Sequence, residues 1–159
     1  MRLKLLTLLT PSIILAQERS AFEIYGDIFQ AVIPLYAFGL TFFKKDEEGR
    51  WMFVKSYGYT MGTTYTLKYA INAERPNGGR QSFPSGHTAS AFAGAWFLQA
   101  RYGWKQGVPA LILAGLVGWS RVYANKHWPV DVYGGAILSM GITFAITKRW
   151  RFSLSIAKW

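Results

Sequence analysis

The chain has two histidines, His87 and His127, and each stands in a stretch whose residue types suit phosphate chemistry. In Pro84-Ser85-Gly86-His87, Ser85 reads as a helix N-cap and Gly86 permits close approach of a ligand to the backbone. The helix that follows offers free N–H groups and the positive end of its dipole, a cradle for an anion. His87, in the first turn, is placed to protonate a leaving oxygen. Further on, Ser120-Arg121 is followed after five residues by His127 and then by Asp131, four residues later. Arg121 supplies a planar fork for two phosphate oxygens. Pro129 suits the first turn of the last helix, so Asp131 can fold back to accept a hydrogen bond from His127 and fix its tautomer. A histidine held in this way serves as a nucleophile or a base. Lys68 and Arg75 complete the set: Pro76 keeps Arg75 out of helical geometry, so both cations can project into one mouth.

Each of these residues has an ordinary structural reading when taken alone: a capping histidine, a snorkelling lysine, an interfacial arginine, an acid on a helix dipole. Those readings do not explain why three cations, two histidines and an acid gather at one end of the predicted helices. Polar groups near a bilayer are costly and mark function.

The elements that position them are apolar. Runs free of Asp, Glu, Lys and Arg cover 5–17, 28–43, 81–100, 106–120 and 132–147, and a more polar segment, 51–71, carries only Lys55 and Lys68 as charges. The pattern predicts an all-α fold, a polytopic transmembrane bundle of five helices plus an N-terminal segment, 1–20, that is either a first helix or a secretory signal. The phosphate-suited stretches then fall in a single domain, 21–159. A soluble helical bundle is the alternative. The breaks are 44–50, 75–80 and 101–107, read as a solvated loop, a flexible loop and a turn.

A formal charge of +10 in a chain that is 51% hydrophobic excludes a disordered basic tail. The distribution of that charge decides its meaning. With helices threaded alternately, one face collects Arg2, Lys4, Lys44, Lys45, Arg50, Lys55, Arg101, Lys105, Lys148, Arg149, Arg151 and Lys158, twelve of the 18 basic residues. That face is predicted to be cytoplasmic, with Trp51, Trp104, Trp150 and Trp159 flanking it as an aromatic belt. Orientation accounts for the charge, and no nucleic-acid partner is implied. With no Cys and only two His, neither a thiolate site nor a His-rich zinc site is expected, and no metal or other cofactor.

The three stretches, Lys68 to Pro76, Pro84 to His87 and Ser120 to Asp131, together resemble the signature of the type 2 phosphatidic acid phosphatase superfamily, which also includes glucose-6-phosphatase and the vanadium haloperoxidases. The resemblance implies metal-independent hydrolysis of a phosphate ester or diphosphate through a phosphohistidine. On that pattern His127 attacks phosphorus, Asp131 orients it and His87 protonates the departing oxygen, while Lys68, Arg75, Ser85, Gly86 and Arg121 bind the phosphoryl oxygens. Arg80 and Lys126 are possible headgroup contacts. The substrate expected is a membrane lipid, reached at the extracytoplasmic face of a bacterial inner membrane, with no obligate protein partner.

Lipid A 1-phosphate is the first expectation, and undecaprenyl diphosphate and phosphatidylglycerophosphate are the alternatives. Vanadate-dependent peroxidase chemistry is a competing reading on the same constellation, disfavoured by the apolar runs. A non-catalytic lipid-binding membrane protein is the reading from another class.

Overall fold

The computed structural model describes residues 19–147. The apolar run 5–17 and the basic and aromatic residues Arg2, Lys4, Lys148, Arg149, Trp150, Arg151, Lys158 and Trp159 lie outside them. The described residues form helices α1 (Ala21–Phe43), α2 (Glu47–Ile71), α3 (Gly86–Tyr102), α4 (Trp104–Tyr123) and α5 (Pro129–Thr147). These are the five expected.

Local chemistry sets the helix starts. Ser20 Oγ accepts from Glu23 N at 3.1 Å to open α1, and Ser85 Oγ accepts from Thr88 N at 3.4 Å to open α3. Pro129 is the first residue of α5, where its missing N–H costs nothing. Two of the breaks are shorter than expected. The loop at 44–50 ends at Asp46, whose carboxylate caps Gly49 N at 2.9 Å, so 47–50 are already helical. The turn at 101–107 contracts to Gly103, whose φ of 81° and ψ of −176° suit a residue without Cβ. Arg101 closes this end of the bundle, its Nε and Nη2 reaching the Asp46 carboxylate at 2.8 and 2.6 Å. The guanidinium holds the Asp46 carboxyl down at about 2, so the cap stays ionised.

Helix α3 is the centre, touching each of the other four. Its middle is built of Ala89, Ala91, Ala93, Gly94 and Ala95, all buried, and small residues let neighbouring backbones come close. A Cβ on Gly94 would lie 2.8 Å from the Pro34 backbone of α1, and one on Gly135 of α5 would lie 2.7 Å from Ser85 O. Outward faces are the reverse. Ile24, Ile28, Val32 and Leu35 on α1, Val108, Ile112, Leu116 and Trp119 on α4, and Val130, Tyr133, Ile137 and Met140 on α5 are exposed at three- and four-residue spacing. Inside, Ile33, Phe53, Phe97, Leu98 and Val117 pack among the small residues, and the continuous apolar stripes outside make a surface for lipid rather than water. By length and composition α1 and α5 qualify as membrane spans.

The alternation of helices puts the start of α1, the end of α2, the start of α3, the end of α4 and the start of α5 at one end of the bundle. All three phosphate-suited stretches therefore meet. The glycine contacts give a test. Gly135→Ala should destabilise by about 1–3 kcal/mol, since the new Cβ meets backbone that cannot move aside. Gly115→Ala, where nothing lies within 4 Å, should be neutral or stabilising by up to about 1 kcal/mol. Thermal unfolding in detergent measures both, and equal behaviour would contradict the packing.

Candidate active site

At that end lies a cavity of about 560 Å³. Helix α1 lines it with Glu23, Asp27, Gln30 and Ala31, one face by spacing, and α2 with Tyr57, Met61, Tyr65 and Lys68, another. His87 and Ser90 come from α3, Arg121 from α4, and Arg75, Gln81, Lys126 and His127 from the connecting loops. A short chain of hydrogen bonds ties three walls together: Tyr57 Oη and Ser90 Oγ lie 2.8 Å apart, and Ser90 Oγ donates to Gln30 O at 2.7 Å.

His127 and Asp131 are 4% and 2% exposed. Their Nδ1 and Oδ2 atoms stand 3.4 Å apart, close but longer than a normal hydrogen bond. The carboxylate is held by other donors: Ser82 Oγ donates a short hydrogen bond to Oδ2, and Trp128 N donates to the same atom at 2.8 Å. Asp131 thus caps the start of its own helix and sits beside His127 at once. With Nδ1 towards Asp131, the imidazole leaves Nε2 for the cavity.

Arg121, 2% exposed, is tied to α1. Its Nη1 donates to Asp27 Oδ1 at 2.6 Å, its Nη2 to Glu23 O, and its Nε to Ser120 Oγ at 3.0 Å. Asp27 Oδ1 also lies 3.0 Å from His87 Nε2. A Cβ on Gly26 would overlap Ser120 Oγ and the guanidinium, so glycine is what admits this contact.

Lys68 Nζ donates to Gln81 O at 2.8 Å and faces Ser82 O at 3.4 Å, clamping the segment that leads into α3 while bordering the cavity. Arg75 borders the cavity as well, and its Nε donates to Arg80 O at 3.0 Å.

The sequence-predicted residues therefore divide. Lys68, Arg75, Gly86, His87, Arg121 and His127 line one cavity, with Asp131 directly behind His127. Ser85 is fully buried, its Oγ taken by Thr88, so it builds the helix start and does not line the cavity. Lys126 lines the cavity and pairs with Glu23 Oε1 at 3.2 Å. Arg80 is exposed and is not among the cavity's lining residues. Sequence reasoning missed Asp27 and Ser82. The signal for Asp27 was an acid inside an apolar helix, one turn after Glu23; Ser82 had none.

What gathers here is a set of cations, two histidines with carboxylates beside them, and an opening at the end of a membrane bundle, the makings of a phosphate-ester hydrolase. Residues 42–154 match the PAP2 superfamily, and the chain belongs to it. It is 30% identical over 141 residues to the Lipid A 4'-phosphatase of Helicobacter pylori strain J99, an alignment covering 81% of this chain and 71% of that one. The crystal structure of LpxE from Aquifex aeolicus shares the fold, with a TM-score of 0.69 at 23% identity over 78% of this chain and 81% of that one. That of a transmembrane PAP2 type phosphatidylglycerolphosphate phosphatase from Bacillus subtilis gives 0.61 at 27% identity, covering 82% and 76%. The all-α transmembrane bundle is the fold of this family, and the chain is a membrane-embedded hydrolase of lipid phosphate esters.

Burial pushes the His127 imidazolium down to about 4, and the nearby charges of Lys68 and Arg75 act in the same direction, outweighing Asp131. The neutral ring, the form with a free lone pair, is therefore the form present from weakly acidic pH upwards. Because the chain has two histidines, an imidazole nitrogen NMR titration of the His87→Gln protein reports His127 alone. It should show no protonation until well below the ordinary value of about 6.5. A midpoint near that value would refute the desolvated environment.

Proposed function

We propose that the chain removes a phosphate group from a membrane lipid by a metal-independent phosphohistidine mechanism, with residues 21–159 as the phosphatase domain. The observation that carries this reading is the convergence of His127, His87, Lys68, Arg75 and Arg121 on one cavity. His127 Nε2 attacks phosphorus while Asp131 supports the charge that develops on the ring. His87 gives a proton to the departing oxygen and then accepts one from the water that cleaves the phosphohistidine. Lys68, Arg75, Arg121 and the N–H groups at the start of α3, around Gly86, meet the equatorial oxygens, where the charge gathers. Ser85 acts by capping that helix.

The lipid proposed first is lipid A bearing a phosphomonoester, the 1-phosphate as expected from the sequence; the likeness to the Helicobacter pylori 4'-phosphatase supports the lipid class and makes the 4'-phosphate the next to try. Phosphatidylglycerophosphate and undecaprenyl diphosphate are the other substrates to compare. The enrichment of Lys44, Lys45, Arg50, Lys55, Arg101 and Lys105 at the end opposite the cavity supports a cytoplasmic placement of that end, with the active site facing the periplasm of a bacterial inner membrane.

Phosphate release from this panel by detergent-purified protein, in the presence of EDTA, tests the proposal. One lipid should be hydrolysed at an undiminished rate with the chelator present. His127→Ala should abolish turnover, and Asp131→Asn should reduce it about 10²-fold. Chelator sensitivity would sink the metal-free mechanism, and an active His127→Ala protein would remove the nucleophile.

A further inference from the structure

From α1, Asp27 reaches into the cavity and no motif of the sequence accounts for it. We propose that Asp27 is the positioning carboxylate of His87, so that the site holds two imidazole–carboxylate pairs, one on each side of the phosphoryl group. The inference rests on the reading of His87 as general acid.

Three observations carry it. Asp27 Oδ1 lies 3.0 Å from His87 Nε2, closer than Asp131 comes to His127. The carboxylate is itself fixed, by Arg121 Nη1 at 2.6 Å on Oδ1 and by Arg19 Nη1 at 3.3 Å on Oδ2. His87 Nδ1 has no hydrogen-bond partner among the described residues, whereas Nε2 does.

The neutral histidine that gives Nε2–H to Asp27 has its lone pair on Nδ1, and the imidazolium carries protons on both nitrogens. Nδ1 is thereby the nitrogen that faces the leaving group. As His127 Nε2 forms its bond to phosphorus, the bond from phosphorus to the leaving oxygen breaks. Its electron pair stays on that oxygen, which takes the proton from His87 Nδ1. Asp27 remains ionised, keeping the ring in the orientation that delivers the proton and later receives one from water. A carboxylate also favours the protonated ring that the first step needs, which an amide of the same shape does not.

The test is Asp27→Asn, an isosteric change that still leaves an oxygen for Arg121. It is assayed by kcat/KM, which reads only through formation of the phosphoenzyme, on two probes: the lipid phosphomonoester that the wild type hydrolyses, whose alcohol leaves poorly, and p-nitrophenyl phosphate, whose phenolate leaves without help. The readout is the ratio of the two, so a general loss of folded protein cancels. The lipid reaction should fall roughly 10- to 100-fold further than the aryl reaction, a share of the factor that acid–base catalysis supplies, while any loss on the aryl probe reports the weakened hold on Arg121.

In a His87→Ala background Asp27→Asn should add nothing further. Equal losses on both probes, no loss on the lipid, or full additivity with His87→Ala would overturn the proposal. If His87→Ala alone fails to discriminate between the probes, the general-acid reading itself is wrong. A nitrogen NMR spectrum of His87 in the His127→Gln protein gives an independent check without turnover. Nε2 should carry the proton in the neutral ring, and Asp27→Asn should alter that tautomer balance; an unchanged balance counts against the pairing.

Discussion

A guanidinium buried at the end of a membrane helix has to be met by an anion or by carbonyls, because leaving such a charge unpaired costs several kcal/mol. Arg121 is that guanidinium, and much of the architecture follows from how it is met. Asp27 and the Glu23 carbonyl of α1 both turn to it, Gly26 thins the helix where the contact is made, and Ser120 takes the remaining Nε–H. The start of α1 is thereby drawn against the end of α4. With α1 fixed, its face bearing Glu23, Asp27 and Gln30 becomes a wall of the cavity and not part of the lipid surface.

The opposite wall obeys the same rule with different groups. Asp131 is a buried carboxylate whose Oδ2 gathers a serine hydroxyl, a backbone N–H and the edge of an imidazole. Those contacts join the loop before α3 to the start of α5, and Ser85 N donating to Asp131 O at 2.9 Å adds a backbone tie. Lys68 performs the equivalent service for Gln81 and Ser82 from α2. Groups expected to hold phosphate, Lys68 and Arg121 among them, therefore also tie the surrounding segments together. Such preorganisation lets donors stabilise charge that develops in a transition state without first moving, and it is where electrostatic catalysis gains most.

The bundle around this end is assembled for a solvent that offers no hydrophobic reward for burial. Contacts inside are made by alanine, glycine, serine and threonine at four-residue spacing, as in Gly135, Ser139, Thr143 and Thr147 of α5, which let backbones approach. Large apolar side chains cover the outward faces, and a smaller set, Ile33, Phe53, Phe97, Leu98 and Val117, packs between the helices. Helix α2 is the most polar of the five because two adjacent stripes of it are polar: Tyr57, Met61 and Tyr65 line the cavity, and the buried row Ser56, Thr60 and Thr64 runs beside them to Lys68.

Local patterns were sufficient for much of this. The five helices, the Ser85 and Pro129 starts, and the grouping of Lys68, Arg75, His87, Arg121 and His127 at one end follow from apolar runs, capping residues and the alternation of helices, all of which act within a few residues of sequence. Asp131 beside His127 was legible for the same reason, being four positions away. Helix ends near Asp46 and Gly103 were not, because polarity alone does not show that a carboxylate caps a helix or that one glycine turns the chain. What only the tertiary structure decided are the partnerships across the chain. Asp27 meets His87 over a separation of 60 residues and Arg121 over 94, and Ser82 meets Asp131 over 49. No local spacing encodes such pairs. They arise because charges confined to one end of a lipid-facing bundle must find one another, and which finds which depends on how closely the helices can pack.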